Sequence, residues 1–97
     1  MRDLMSQNNN GGNMVEIGND IAPTIVKKFI EATKWIECDW ITIRMSLNSV
    51  DMIRIHAVRI DGTDENLIFT KGQFEEMTIY RVLNMLRQIV HNRVGYA

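Results

Sequence analysis

One cysteine, Cys38, stands in 97 residues. A single thiol excludes an internal disulfide and fits a reducing compartment. No charge of one sign dominates either. Eleven Lys and Arg face twelve Asp and Glu, for a formal charge of −1. That balance excludes a bulk polycation that coats nucleic acid, and equally a strongly acidic mimic of DNA. No apolar run approaches the roughly 18 residues that span a bilayer. The opening Met1-Arg2-Asp3-Leu4-Met5 lacks the apolar stretch of a signal peptide. A cytoplasmic protein with no membrane partner is the expectation.

Catalytic and metal-binding motifs are missing too. There is no Cys-x-x-Cys, His-Glu-x-x-His, Gly-x-Ser-x-Gly, phosphate-binding loop or Gly-x-Gly-x-x-Gly segment. The possible metal ligands Cys38, His56 and His91 share no zinc-type spacing. Ser46, Ser49, His56, Asp51 and Cys38 are the right residue types for nucleophilic catalysis, without a motif around them. Glu75 and Glu76 are adjacent on an expected helix, so they point about 100° apart and form no catalytic pair. The expectation is a protein that is not an enzyme, with no metal, cofactor or small-molecule substrate.

What is present reads as one globular domain. Hydrophobic residues make up 45% and charged residues 24%, and two domains of half this length would each lack a core. Residues 6–13, Ser-Gln-Asn-Asn-Asn-Gly-Gly-Asn, are polar and of low complexity. The expected division is a flexible tail over 1–18 and a single α+β domain over 19–97. No internal repeat is visible.

A first helix is expected from an Asp20 N-cap, with Pro23 in its first turn and an end by Cys38 or Asp39. Ala22, Ile25, Val26, Phe29, Thr33 and Ile36 form its apolar stripe, with Lys27, Lys28, Glu31 and Lys34 opposite. A first strand, Trp40–Leu47, alternates Ile41, Ile43, Met45 and Leu47 with Thr42, Arg44 and Ser46. A second strand is expected from Met52 to Ile60. There Ile53, Ile55 and Ala57 share one parity and Val58 and Ile60 the other, which a β-bulge near Ala57-Val58 would reconcile. A hairpin loop over 61–66 leads to a third strand, Leu67–Thr70. Thr70-Lys71-Gly72-Gln73 reads as a capping box that starts one long last helix. Ile79, Val82, Leu83, Leu86, Ile89 and Val90 are its buried face, and Gly95 its stop. Two helices on one face of a three-stranded antiparallel sheet make an α+β two-layer sandwich.

That arrangement offers two surfaces. With the bulge, Arg44, Arg54, His56 and Arg59 share the outer sheet face, near Lys71. This is a basic platform for phosphates, without the exposed aromatics of a single-strand-binding sheet. The outer side of the last helix carries Met77, Tyr80, Arg81, Asn84, Arg87, Gln88 and His91. Tyr, Met and Arg are enriched at protein interfaces. Trp35 falls off the core stripe and can anchor a protein partner or a second copy. Trp40 seals the start of the first strand. Asp61, Asp64, Glu65, Glu75 and Glu76 gather apart from the arginines, a dipolar layout suited to oriented docking.

The order helix–strand–strand–strand–helix resembles that of the double-stranded-RNA-binding domain. That family's basic run at the start of the last helix is replaced here by Gly72-Gln73-Phe74-Glu75-Glu76. The order also looks like that of some small phage-encoded inhibitors. The expected function is a non-catalytic protein-protein interaction module. One concrete form is an inhibitor or adaptor of viral or mobile-element origin that docks on and blocks a host enzyme. The alternative is a nucleic-acid-binding module that uses the arginine-bearing sheet face. A homodimer is a third expectation, through Trp35 or a free strand edge.

Overall fold

A computed structural model describes residues 13–91. Seven elements follow in the order β1 (Met14–Ile17), α1 (Pro23–Lys34), β2 (Thr42–Leu47), β3 (Met52–Val58), β4 (Asp64–Thr70), α2 (Lys71–Glu76) and α3 (Ile79–His91). The four strands lie in sequence order in one mixed sheet. β1 runs parallel to β2, and α1 is the crossover between them. The pairs β2–β3 and β3–β4 are antiparallel.

The α+β class holds, and two corrections follow from β1. The sheet has four mixed strands, not three antiparallel ones, so the element order no longer matches the two resemblances. The expected tail over 1–18 also gives up Met14–Ile17 to the sheet. Four residues beside an Asn-rich stretch carry too little alternation to stand out, and the parallel partner Thr42–Met45 lies beyond the intervening helix. Neighbouring groups pin the strand. Trp40 N–H donates to Asn13 Oδ1 at 2.9 Å, and Gly18 N–H donates to Met45 O at 2.8 Å. A Cβ on Gly18 would lie 3.3 Å from Ser46 Cα, so the backbones approach too closely there for an ordinary side chain without adjustment.

Side-chain parity sorts the sheet into a core face and an outer face. Val15, Ile43, Met45, Ile53, Ile55 and Ala57 are buried in one cluster with Ile25, Phe29, Phe74, Val82 and Leu86 of the helices. Both long helices therefore cover the same face, as expected. Helix α1 starts at Pro23, whose absent N–H is an orphan at that position in any case. Its N-cap is Ala22, without a side-chain bond. Asp20 is not the cap: it stands three residues before Pro23 with φ of 65°. The helix stops at Lys34, earlier than expected. Thr33 is buried, with its hydroxyl donating to Ile30 O at 2.7 Å.

No bulge interrupts β3. Its register runs unbroken from Met52↔Thr70 to Val58↔Asp64. The strand ends at Val58, and Ile60 lies exposed in the following turn, where Gly62 takes φ of 90°. The change of parity in the sequence marks the end of the strand. β4 begins at Asp64, three residues before the expected start.

The capping box is present as read: Gln73 N–H donates to Thr70 Oγ1, and Thr70 N–H to Gln73 Oε1. The long last helix is not continuous. Met77 is extended, and Thr78 restarts the chain by accepting from Arg81 N–H through its hydroxyl at 3.1 Å. Glu75 and Glu76 thus end α2 rather than open one long helix. Phe74, outside the expected apolar face, is fully buried and meets Phe69 edge-on at 6.1 Å. Lys28 bridges the break. Its ammonium donates to the carbonyls of Phe74, Glu75 and Met77 at 3.1, 2.8 and 2.7 Å, so all three of its protons have acceptors. The expected stop at Gly95 lies outside the described residues.

Candidate functional site

Helix α3 carries most of the residues named above, and its neighbours divide them. Lys28 of α1 reaches Met77, just before α3, and Glu37, just after α1, reaches Arg87 near its end. The two helices therefore run side by side in the same direction. Arg87 donates from Nε and Nη2 to the two carboxylate oxygens of Glu37 at 3.1 and 2.6 Å. This bidentate pair holds the Glu37 carboxyl below its ordinary value and raises the Arg87 guanidinium. Arg87 therefore ties α3 to the chain leaving α1, rather than standing as an open anchor. His91 is exposed at the same end, and Trp35, 61% exposed, caps α1 two residues before Glu37.

The other flank of α3 is open. Leu67 and Phe69 of β4, half-buried on the core face, floor a groove walled by Met77, Arg81, Asn84, Met85 and Gln88. The groove continues past Gln73 and Glu76 at one end and reaches Glu65 at the other. Met77, Arg81 and Asn84 line this groove together with Glu65, Leu67 and Phe69, strand residues to which the sequence reading gave no part in either surface. Their signal was the alternation of Glu65, Leu67 and Phe69 with Asn66 and Ile68 along a sheet edge. Tyr80 rises from the same helix, 77% exposed. Its place in the helical repeat is on the Arg87 side of the crest, away from the groove.

The outer sheet face carries Arg44, Arg54 and His56 of the expected platform, but not Arg59. Arg59 lies one residue past β3 and has core-face parity. Its guanidinium side chain is only 11% exposed, donates to Glu65 Oε1 at 2.7 Å, and leaves a buried Nε without a partner. Without the bulge, nothing rotates it to the outer face. Arg44 is paired with Glu16 at 2.7 Å, a residue supplied by the unexpected β1. His56 Nε2 stands 2.8 Å from Asp64 Oδ2. Arg54 donates to the neutral Asn66 Oδ1 at 2.8 Å. Lys71 is half-buried where β4 passes into α2. Carboxylates thus interleave the cations on this face.

The other candidate chemistry is dispersed. Cys38 is half-buried against the core, and burial raises its thiol pKa, which makes it a poor nucleophile at neutral pH. His56 is on the outer sheet face and His91 at the end of α3. Among the described residues no three His, Cys, Asp or Glu side chains gather as a metal site, and no helix is long and apolar enough to cross a membrane. The chain matches no protein family, no curated protein and no solved structure.

Proposed function

We propose that the protein is a non-catalytic interaction module that docks a protein partner on the exposed crest of α3. The observation that carries this reading is the crest itself. Arg81 and Asn84 stand exposed on α3 as a wall of a groove whose floor is apolar, and Tyr80 stands exposed on the other side of the same crest. A large aromatic and an arginine next to an apolar recess are the composition of an interface centre. Steric occlusion of the partner, as an inhibitor or adaptor, is the mechanism such a surface serves.

Arg81 is the charged anchor of this surface, since the Arg87 guanidinium is held by Glu37. The Tyr80→Ala/Arg81→Ala double variant is expected to weaken partner binding at least tenfold, about 1.4 kcal/mol. The test is capture from host-cell lysate after nuclease treatment, wild type against double variant, followed by affinity measurement on the partner recovered. A folded double variant that binds as wild type does would overturn this reading. Recovery that depends on nucleic acid would move the site to Arg44, Arg54 and the outer sheet face.

A further inference from the structure

The edge of β4 carries a second interaction. Two flanking bonds set the phase of the β3–β4 ladder: Arg59 N–H donates to Thr63 O at 2.8 Å, and Lys71 N–H to Asp51 O at 3.2 Å. Bonded and non-bonded pairs alternate in an antiparallel ladder. With Ala57↔Glu65, Ile55↔Leu67 and Ile53↔Phe69 in register, these three β4 residues turn their amides toward β3. Asp64, Asn66 and Ile68 turn theirs away from the sheet. β4 is the terminal strand, and among the described residues no backbone group bonds to those outward amides.

Exposed edges are normally blunted by lysine, proline, a bulge or short length. Charged side chains, inward-facing ones included, also blunt an edge, and β4 has these only at its first end, in Asp64 and the half-buried Glu65. It is seven residues long, unbulged, free of Lys and Pro, and Ile68 on it is 60% exposed.

Charge along the edge is polarised. Its first end carries Asp64 and Glu65 against the single cation Arg59, with His56 beside Asp64. Its last end carries Lys71, directly after the strand, with Asp51 opposite it just before β3, and Arg81 beside Glu76 in the groove, with Glu75 preceding Glu76. An antiparallel pair of such edges sets Asp64 of each copy beside Lys71 of the other.

We propose that β4 pairs with β4 of a second copy, antiparallel about a two-fold axis at Leu67. Leu67 then meets Leu67, Asn66 meets Ile68 and Asp64 meets Thr70 of the other copy. Each Asn66–Ile68 pair exchanges two backbone bonds, and each Asp64 N–H reaches a Thr70 carbonyl, about six bonds in all. This register leaves the Thr70 N–H with Gln73, where it already is. The two four-stranded sheets become one continuous sheet with all helices on one side. The α3 crests of both copies then face the same way, so the docking surface proposed above becomes bivalent. The pairing itself stands without that reading.

The interface is small, so dimerisation is expected in the range of about 1–100 µM. Sedimentation equilibrium on the full chain, from about 1 to about 500 µM, reads it directly. Ile68→Lys is expected to weaken dimerisation at least tenfold without unfolding, because the side chain is already exposed. Tyr80→Ala is expected to leave it unchanged. Leu67→Cys in a Cys38→Ser background is expected to form a disulfide-linked dimer on mild oxidation. Directly opposed residues of a non-bonded pair lie about 4.5 Å apart at Cα, within disulfide reach. Ile60→Cys in the same background is the control expected to stay monomeric. A wild-type chain still monomeric at the highest concentration overturns the pairing, as does a dimer that Ile68→Lys leaves intact. A dimer lost with Tyr80→Ala would place the contact on α3 and overturn it as well. A partner captured by a strictly monomeric protein overturns the pairing and leaves the docking reading standing.

Discussion

On its α1 side, helix α3 is clasped at both ends; on its β4 side it is not. Lys28 closes one end of the α1 seam with three carbonyl bonds, and the Arg87–Glu37 pair closes the other. The β4 side has half-buried Leu67, Phe69, Met77 and Met85 and, beyond them, a strand edge unpaired among the described residues. Both flanks use the same helix, so helix propensity does not explain the difference. It lies in what the neighbours supply. α1 brings donors and acceptors to the exposed ends of its seam, whereas β4 brings apolar side chains that only partly meet those of α3. A flank with its polar groups satisfied locally has little left to recognise. The open flank retains both apolar area and hydrogen-bonding capacity.

Four substitutions sharpen this contrast. The largest effect is expected at Phe74, which is fully buried under the Lys28 clasp. Phe74→Ala should cost about 3–5 kcal/mol in denaturant unfolding. A loss near 1 kcal/mol would mean that α2 packs only loosely. Lys28→Ala comes next, at about 1–3 kcal/mol, because it strips the donor from three carbonyls and bares the Phe74 ring. Lys27→Ala on the exposed face is the control, expected within about 0.5 kcal/mol of wild type. On the open flank, Leu67→Ala should cost only about 1 kcal/mol, since its side chain is partly in water already. A cost equal to that of Phe74→Ala would show that the groove is closed and would remove the contrast.

The smallest effect concerns pH. The Glu37 carboxyl lies below its ordinary value of 4.5 because Arg87 donates to its ionised form. The folded value is depressed, so the stabilisation is complete above about 4.5 and fades as pH falls through the folded value. Glu37→Gln should therefore lower the melting temperature slightly at neutral pH, where the carboxylate is ionised, and converge with wild type in acid, which flattens the acid limb of the profile. A profile identical to wild type would show that this end of the seam is held by packing alone.

Several parts of this layout were legible in the residues. The alternation Ile43, Met45 and Ile53, Ile55 gave the hairpin, and the Thr70–Gln73 box gave the start of α2 to the residue. Local signals of this kind are complete within a few positions. The long-range features were not. β1 needs a parallel partner more than twenty residues away, and its four residues carry no turn or cap of their own. The break at Met77 follows a buried Phe74 and a lysine from another helix, while Thr78 alone could have hinted at a new N-cap. The outer-face grouping of Arg59 with Arg44 and Arg54 depended on a bulge that the register does not contain.

By itself, then, the sequence determined the composition of the core, the α+β class, the two-helix cover on one sheet face and the residue types on the α3 crest. Those follow from apolar periodicity and capping chemistry, which act over three to seven residues. Only the tertiary structure decided which charges are neutralised and which edge is left open. Glu16 reaches Arg44, Glu37 reaches Arg87 and Lys28 reaches Met77 across gaps of 28, 50 and 49 residues. Ion pairs and carbonyl clasps form wherever packing brings their partners within about 3 Å, and no local pattern encodes that meeting. The same holds for β4, whose outer edge meets no other strand among the described residues because the sheet order ends there.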